Sequence, residues 1–169
     1  MKKIILTIFL IPLLVSANDQ KFGAGLTLGM TEGDTIDYGI VEWNIPMITG
    51  SVQTRTGDFG YEIKLGLGIS DDSDKDVDGD SWSGEINSLL QLKGLYHFSD
   101  DVYGAILLTR LDAEVCADWA GECASDNDTD FGFQIGIKRD EFDIFFGPSY
   151  DSGDFKLLEL GFTYWIPNK

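Results

Sequence analysis

Residues 21–31 read KFGAGLTLGMT, and this stretch decides the fold. Apolar side chains occupy the even positions from Phe22 to Met30, and glycine or threonine occupies the odd positions from Gly23 to Thr31. Because successive side chains of a β-strand point to opposite sides, a period of two indicates a strand with one apolar face. The other face of this strand is made of very small side chains.

The same alternation recurs along the chain. It is clean in 59–69, 131–138 and 158–166, and less regular in 36–55, 86–98, 102–112 and 141–149. The range 36–55 contains Pro46 and Gly50, so it can be one bent strand or two short ones. Taken as one strand, it gives eight strands. Short connections at 56–58, 99–101 and 139–140 then alternate with longer ones, which places the long loops together at one end.

The direction of the apolar faces separates two kinds of barrel. A soluble barrel or sandwich points apolar side chains inward, whereas a membrane barrel points them toward lipid and keeps small or polar residues inside. The second face of the cleanest strands is rich in glycine, which suits the narrow interior of an eight-stranded barrel better than a solvated surface. Aromatic residues near the strand ends are typical of the girdles of a membrane barrel. The pattern therefore favours a transmembrane barrel.

Composition excludes several classes of protein. The 169 residues contain 12 Lys and Arg against 29 Asp and Glu, a formal net charge of −17. Such a chain does not bind nucleic acid through its phosphates, because that binding requires basic residues. A hydrophobic content of 43% and an aromatic content of 12% argue against disorder.

The first residues, 1–17, have the features of a secretory signal peptide. Lys2 and Lys3 precede an apolar run over 4–15, and the small residues Ser16 and Ala17 follow it. The apolar run is too short for a membrane anchor, which needs about 20 residues. We therefore expect residues 18–169 to form a single exported domain.

Together, the signal segment, eight alternating strands, short turns at one end and long polar loops at the other resemble the small outer-membrane β-barrels of Gram-negative bacteria, the family of OmpA and OmpX. The resemblance implies an all-β fold, an eight-stranded antiparallel up-and-down transmembrane barrel. It also implies location in the outer membrane, contact with membrane lipid and lipopolysaccharide, and handling by the barrel assembly machinery. The last strand departs from the family pattern because it ends in Pro167-Asn168-Lys169 and not in an aromatic residue.

One long connection, 70–85, contains a candidate calcium site. Asp74, Asp76, Asp78, Gly79 and Glu85 match the calcium-loop pattern D-x-[DN]-x-[DN]-G-x5-E. Carboxylates at alternate positions can wrap a Ca²⁺ ion, and Asp80 would add its carbonyl oxygen. No helical pattern flanks the segment, so a solvated acidic loop is the alternative. No cofactor is required, and divalent cations are the expected small partners.

A second long connection, 113–130, is acidic and contains both cysteines. Cys116 and Cys123 are close in sequence, and in an exported protein they are expected to form a disulfide. Trp82 and Trp119, one on each long connection, are candidates either for partner contact or for packing on the barrel rim.

Charged side chains are also expected inside the barrel. Glu62, Lys64, Lys93 and Glu159, with Arg110 as a further candidate, lie on the predicted inward faces. Buried charges need partners, so we expect a network of Glu–Lys pairs joined by glutamines that fills the lumen. Eight strands leave little room for an open pore.

Two other function classes compete with a structural or surface-interaction role. A soluble periplasmic lipocalin-like barrel would bind a small apolar ligand and would face its apolar residues inward. A lipid A-modifying barrel enzyme would need a histidine beside a nucleophile, and His97 is the only histidine in the chain. His97 lies next to the short turn at 99–101, where a solvated or structural role is the simpler interpretation. We therefore predict a non-enzymatic protein.

Overall fold

The computed structural model describes residues 20–35, 39–76, 78–151 and 155–167. Ten strands are present in them: β1 (Lys21–Thr35), β2 (Gly39–Thr56), β3 (Phe59–Gly68), β4 (Asp72–Lys75), β5 (Ser81–His97), β6 (Val102–Ala117), β7 (Glu122–Asp126), β8 (Thr129–Arg139), β9 (Phe142–Asp151) and β10 (Phe155–Ile166). The predicted signal peptide, 1–17, lies outside the described residues. The described part of the chain contains no helix long and apolar enough to cross a membrane.

Eight strands form a closed antiparallel ring in the order β1, β2, β3, β5, β6, β8, β9 and β10, and β10 pairs back with β1. The predicted eight-stranded barrel is therefore confirmed. The ambiguous range 36–55 is a single strand over its described part. The last pair in the ladder between β2 and β3 is Met47 with Gly68, and Pro46 lies one residue beyond it. Proline has no N–H to donate, so it fits where the ladder has ended. Its carbonyl still accepts the N–H of Ile69 at 3.0 Å.

The apolar faces of the ring point outward. Ile106 and Phe131 are each 71% exposed, whereas Lys64 and Glu159 on the inward faces are fully buried. Near the short turns, the ring of Tyr96 contacts those of Phe59 and Phe98. This is the arrangement of a transmembrane barrel, and it is the reverse of what the soluble lipocalin-like alternative required.

Several strands are longer than a membrane crossing needs. A membrane-spanning β-strand needs about 9–11 residues, and β2, β5 and β6 contain 18, 17 and 16. Their extra length lies at the end with the long connections, called here the long-loop end, opposite the short-turn end. There β4 pairs with β5, β5 with β6, and β6 with β7, which makes one four-stranded sheet, called here the projecting sheet.

The two long connections are therefore largely β-hairpins and not irregular loops. β7 and β8 both pair with β6, and they do so in the same register. Ala113 pairs with Asp126 of β7 and Arg110 pairs with Thr129 of β8, with no shift between the two ladders. The β6–β7 connection is a tight turn at 118–121, with Gly121 at a φ of +66°. Polar strands can pair here because Trp82, Val115 and Ala117 still provide an apolar face.

Candidate functional site

The middle of the lumen contains two ion pairs. Lys64 Nζ lies 2.8 Å from Glu159 Oε1, and Lys93 Nζ lies 3.2 Å from Glu62 Oε1. All four side chains are at least 96% buried. The inward faces of β3, β5 and β10 bring these residues together, because Glu62 and Lys93 are direct partners in the ladder between β3 and β5.

Neutral groups complete this network. Gln91 and Gln134 donate to the second oxygen of Glu159, and Ser51 Oγ donates to Glu62 at 3.2 Å. The centroid of the Phe145 ring lies 4.3 Å from Lys64 Nζ and 4.5 Å from Lys93 Nζ, so one aromatic ring contacts both ammonium groups. Sequence reasoning missed Phe145 because 141–149 carries aromatic or apolar residues on both faces.

Arg110 is not part of the interior. Its side chain is exposed, and its guanidinium donates to Asn127 Oδ1 at 2.9 and 3.1 Å. The expectation of an inward Arg110 is therefore wrong. In β6 the inward positions are the odd-numbered ones, from Tyr103 to Ala113. The sequence does not identify this face, because apolar residues occupy both odd and even positions of 102–112.

An apolar cluster fills the lumen above the ion pairs, toward the long-loop end. This cluster, called here the upper core, consists of Val41, Trp43, Ile45, Met47, Ile86, Leu89, Leu111, Ala113, Tyr150 and Leu157. Each member is at least 98% buried. Trp82 packs against the cluster, and its backbone carbonyl accepts the Trp43 indole N–H at 3.3 Å. The upper core and the ion pairs together occupy the lumen, so the geometry favours a filled barrel over a conducting one.

His97 lies inside the short-turn end without a nucleophile beside it. The residue is 97% buried, the centroid of its ring lies 5.7 Å from that of Tyr103, and neither ring nitrogen has a hydrogen-bond partner among the described residues. Ser99 Oγ accepts the N–H groups of Asp101 and Val102 and so caps the turn. The described residues therefore do not provide the Ser–His pair that a hydrolase needs.

The carboxylates of the candidate calcium loop face N–H groups. Asp76 Oδ1 accepts the N–H groups of Asp78 and Asp80, and Asp76 Oδ2 accepts the Trp82 indole N–H at 2.9 Å. The Trp82 hydrogen bond and those backbone bonds lower the pKa of Asp76. Asp74 Oδ2 accepts the N–H of Glu42 at 3.2 Å.

Asp72 acts in the same way as Asp74. Its Oδ2 accepts the N–H of Asn44 at 2.7 Å, two residues from the bond made by Asp74. Both N–H groups belong to β2 beyond the end of its ladder with β3. Alternate aspartates of β4 therefore satisfy the backbone of β2 where a strand partner is missing.

The predicted calcium ligands are not brought together around one point. Glu85 lies opposite Glu114 in the ladder between β5 and β6, whereas Asp78 and Asp80 lie in the turn beside Gly79, whose φ is +88°. Among the described residues, one group of three acidic, histidine or cysteine side chains has its possible ligand atoms within 4.8 Å of one another. It consists of Glu114, Cys116 and Cys123. Two of these are joined in a disulfide and offer no thiolate. In this conformation the Asp74 and Asp76 carboxylates fit N–H donors better than a cation.

The disulfide joins Cys116 of β6 to Cys123 of β7, with a Cα–Cα distance of 4.1 Å. Such a short distance is typical of a pair that does not exchange backbone hydrogen bonds. The adjoining turn is held to β5, because Asp118 accepts the hydroxyls of Ser81 and Ser83 at 2.9 and 2.8 Å. Trp119, in the same turn, is 55% exposed. The projecting sheet is therefore cross-linked at its tip.

No protein-family model matches the chain, and no curated protein matches it in sequence. Among solved structures, the chain is similar to Ail, the attachment invasion locus protein of Yersinia pestis, with a TM-score of 0.53 and 13% identity over 87% of this chain and 97% of that one. The same protein in complex with the heparin analogue sucrose octasulfate gives 0.53 and 12% over the same shares. Neisserial surface protein A gives 0.48 and 12%. The similarity to Ail shows a shared fold, that of a small eight-stranded antiparallel β-barrel.

Proposed function

We propose that this protein is a non-enzymatic outer-membrane barrel that presents a rigid acidic sheet to partners outside the cell. The observation that carries the proposal is the projecting sheet, which extends beyond the lipid-facing ring and is cross-linked by the Cys116–Cys123 disulfide. A rigid surface loses little conformational entropy on binding, which favours a recognition role.

Charge indicates the kind of partner. The segment 69–85 contains seven acidic residues and Lys75, and the segment 112–130 contains seven acidic residues without Lys or Arg. Such a surface attracts cationic groups and repels polyanions. Ail was solved with a polysulfated sugar. For this chain we propose the opposite preference, for a basic partner.

The free edge of β7 offers a specific mode of contact. The N–H of Leu111 donates to Asp128 O, so these opposite residues form a hydrogen-bonded pair. Hydrogen-bonded and non-hydrogen-bonded pairs alternate along an antiparallel ladder. In this register Ala124 is therefore in a hydrogen-bonded pair with β6, whereas Cys123 and Ser125 are not. The backbone groups of Cys123 and Ser125 therefore point away from β6, and no described strand pairs with that edge. An extended basic segment could add to it as a further strand.

Binding of a synthetic peptide of alternating Lys and Thr to the protein in nanodiscs tests this function. We expect binding that weakens as salt rises, with no binding of a Glu-Thr peptide or of sucrose octasulfate. Ser125→Pro removes one N–H of the free edge and should weaken binding, whereas Ser125→Ala retains that N–H and should not. Equal binding of both peptides, or equal effects of the two variants, would contradict the proposal.

Divalent cations enter the proposal as bridges and not as a loop-bound cofactor. The acidic sheet and the phosphates of lipopolysaccharide are both anionic, so their contact needs cations between them. We expect Ca²⁺ and Mg²⁺ to promote binding of lipopolysaccharide to the nanodisc-held protein to a similar degree. Selectivity for Ca²⁺ that is lost in Asp74→Ala with Asp76→Ala would instead support the calcium-loop hypothesis.

The enzyme alternative has a direct test. Lipid A isolated from cells that express the protein should have the same composition with the wild type and with His97→Ala. A modification of lipid A present only with the wild type would overturn the non-enzymatic assignment. The barrel assembly machinery remains an expected partner during biogenesis.

A further inference from the structure

A groove of about 610 Å³ crosses the lipid-facing surface near the short-turn end, and none of the preceding functions uses it. It lies where two glycines occur among large outward side chains. Residues that pair across neighbouring strands form a row around the ring, and each glycine belongs to one of two adjacent rows. In one row Gly94 stands between Tyr61 and Ile106, and in the next Gly104 follows Tyr96. A Cβ atom at Gly94 would meet a single atom within 4 Å, the carbonyl oxygen of Ile106 at 4.0 Å.

Apolar and aromatic side chains form both walls. Phe59, Tyr96 and Phe98 form one wall, with consecutive ring centroids 5.3 Å apart. Ile106 and Phe133 are direct ladder partners on the other side and are 71% and 61% exposed. The Phe98 ring lies 3.1 Å from the Cβ position of Gly104, so it narrows the end of the groove nearest the short turns.

Acidic side chains surround this end of the groove. The turns at 57–58 and 98–101 lie side by side, because Asp58 O accepts the N–H of His97 at 2.8 Å. Asp58, Asp100 and Asp101 are exposed there. Arg55 contacts Asp100 at 3.3 Å and donates to Gly57 O, and the backbone N–H of Lys138 on the neighbouring strand donates to Asp101 O at 2.7 Å. The two turns themselves contain three aspartates and no Lys or Arg, which favours a cationic group over an anionic one.

We propose that the groove holds one acyl chain of a phospholipid whose headgroup carries an ammonium. The chain lies along Gly94 between the aromatic wall and Ile106, and the ammonium lies near the aspartates of the two turns. Dispersion contacts from both walls hold the chain more tightly than the open surface elsewhere on the ring. The inference requires a membrane-spanning barrel but does not depend on the partner of the projecting sheet.

Native mass spectrometry tests the proposal on protein released into mild detergent from nanodiscs that contain phosphatidylethanolamine and phosphatidylglycerol. The wild type should retain one phosphatidylethanolamine. Gly94→Leu places a branched side chain in the groove, at a position where a Cβ atom meets only the Ile106 carbonyl oxygen within 4 Å, and should lose the retained lipid. Gly50→Leu is the matched control, because Gly50 also faces lipid with nothing within 4 Å of its Cβ position but lies outside the groove.

Several results would overturn the proposal. These are no lipid on the wild type, equal retention by Gly94→Leu and Gly50→Leu, a preference for phosphatidylglycerol, or a wild-type dimer that Gly94→Leu separates. Folding of each variant is checked by the change of gel mobility on heating. If Gly94→Leu does not fold, Phe98→Ala removes part of the wall and should lower retention as well. Unchanged retention by Phe98→Ala would also count against the groove.

Discussion

At the scale of single residues, the lumen shows how buried charge is tolerated. Lys64 and Glu159 are fully buried, and each keeps a charged partner and at least one further favourable contact. Alternation along β3 and β10 places both residues on inward faces, so their position can be read from the sequence. Which lysine faces which glutamate could not be read from it, because that depends on register around the ring.

Removing one member of this pair should destabilise the barrel strongly. Lys64→Met leaves the Glu159 carboxylate buried without its cation, which typically costs about 3–5 kcal/mol in the free energy of unfolding. Lys64→Met with Glu159→Gln also removes the buried negative charge and should restore most of that loss. Urea unfolding in lipid vesicles, followed by tryptophan fluorescence, measures both. A double variant as unstable as the single one would contradict this account.

Asp76 should make the turn at 76–80 sensitive to acid. Its folded-state pKa is lower than its ordinary value of 3.8. The ionised carboxylate therefore stabilises the turn at any pH above the pKa that Asp76 has in the unfolded chain. This stabilisation is lost as the pH falls through the lower pKa that Asp76 has in the folded protein. The indole N–H resonance of Trp82 should shift with a midpoint below 3.8, and Asp76→Asn should abolish this transition. An unchanged transition in Asp76→Asn would assign it to another group, and Asp78→Asn serves as the control.

At the scale of elements, β2 reveals where a strand leaves the membrane. Its inward positions are apolar from Val41 to Met47 and polar from Thr49 to Gln53. The alternation thus reverses its polarity relative to the lumen within one strand. The sequence contains this reversal, but Pro46 and Gly50 interrupt the alternation of 36–55, so the reversal could not be recognised there. The extension of β5 and β6 as hairpins was harder to predict, because acidic and serine-rich segments have the composition of loops.

The disulfide should stabilise only the outer part of its hairpin. It closes a loop between residues seven positions apart, and the chain-entropy estimate for such a loop is about 2–3 kcal/mol. Hydrogen exchange in Cys116→Ser with Cys123→Ser should therefore accelerate over 113–126 and stay unchanged over 129–139. Reduced wild type should behave like this variant. Faster exchange throughout β8 would mean that the bond supports the whole barrel.

At the scale of the whole molecule, the outward apolar face has a direct consequence for extraction. The protein should require detergent and should migrate faster in SDS before boiling than after it, because a closed ring of backbone hydrogen bonds resists SDS. Urea-unfolded protein is the control and should migrate at the slower position. No shift on boiling, with the protein in the detergent-free soluble fraction, would return the soluble lipocalin-like barrel to consideration.

The fold itself was the most predictable level. Eight alternating segments, and the difference between short and long connections, are enough to define an up-and-down ring, since neighbours in sequence become neighbours in space. The upper core, the groove at Gly94 and the aspartate contacts to β2 were not predictable. Each depends on which side chains of different strands share a row, and one residue of register changes that completely.

The pairing of β1 with β10 has a consequence for how the molecule forms. Most other ladders of the ring join strands that follow closely along the chain, whereas Phe22 pairs with Ile166 and Gly33 with Phe155. Chain entropy grows with the logarithm of the separation, so closing about 130 residues costs about 3 kcal/mol more than closing five. Until those two strands meet, the hairpins form a curved ribbon with two open edges. We therefore expect the ring to close last at the contact between β1 and β10, and loss of either strand would leave both edges open to pairing with other chains.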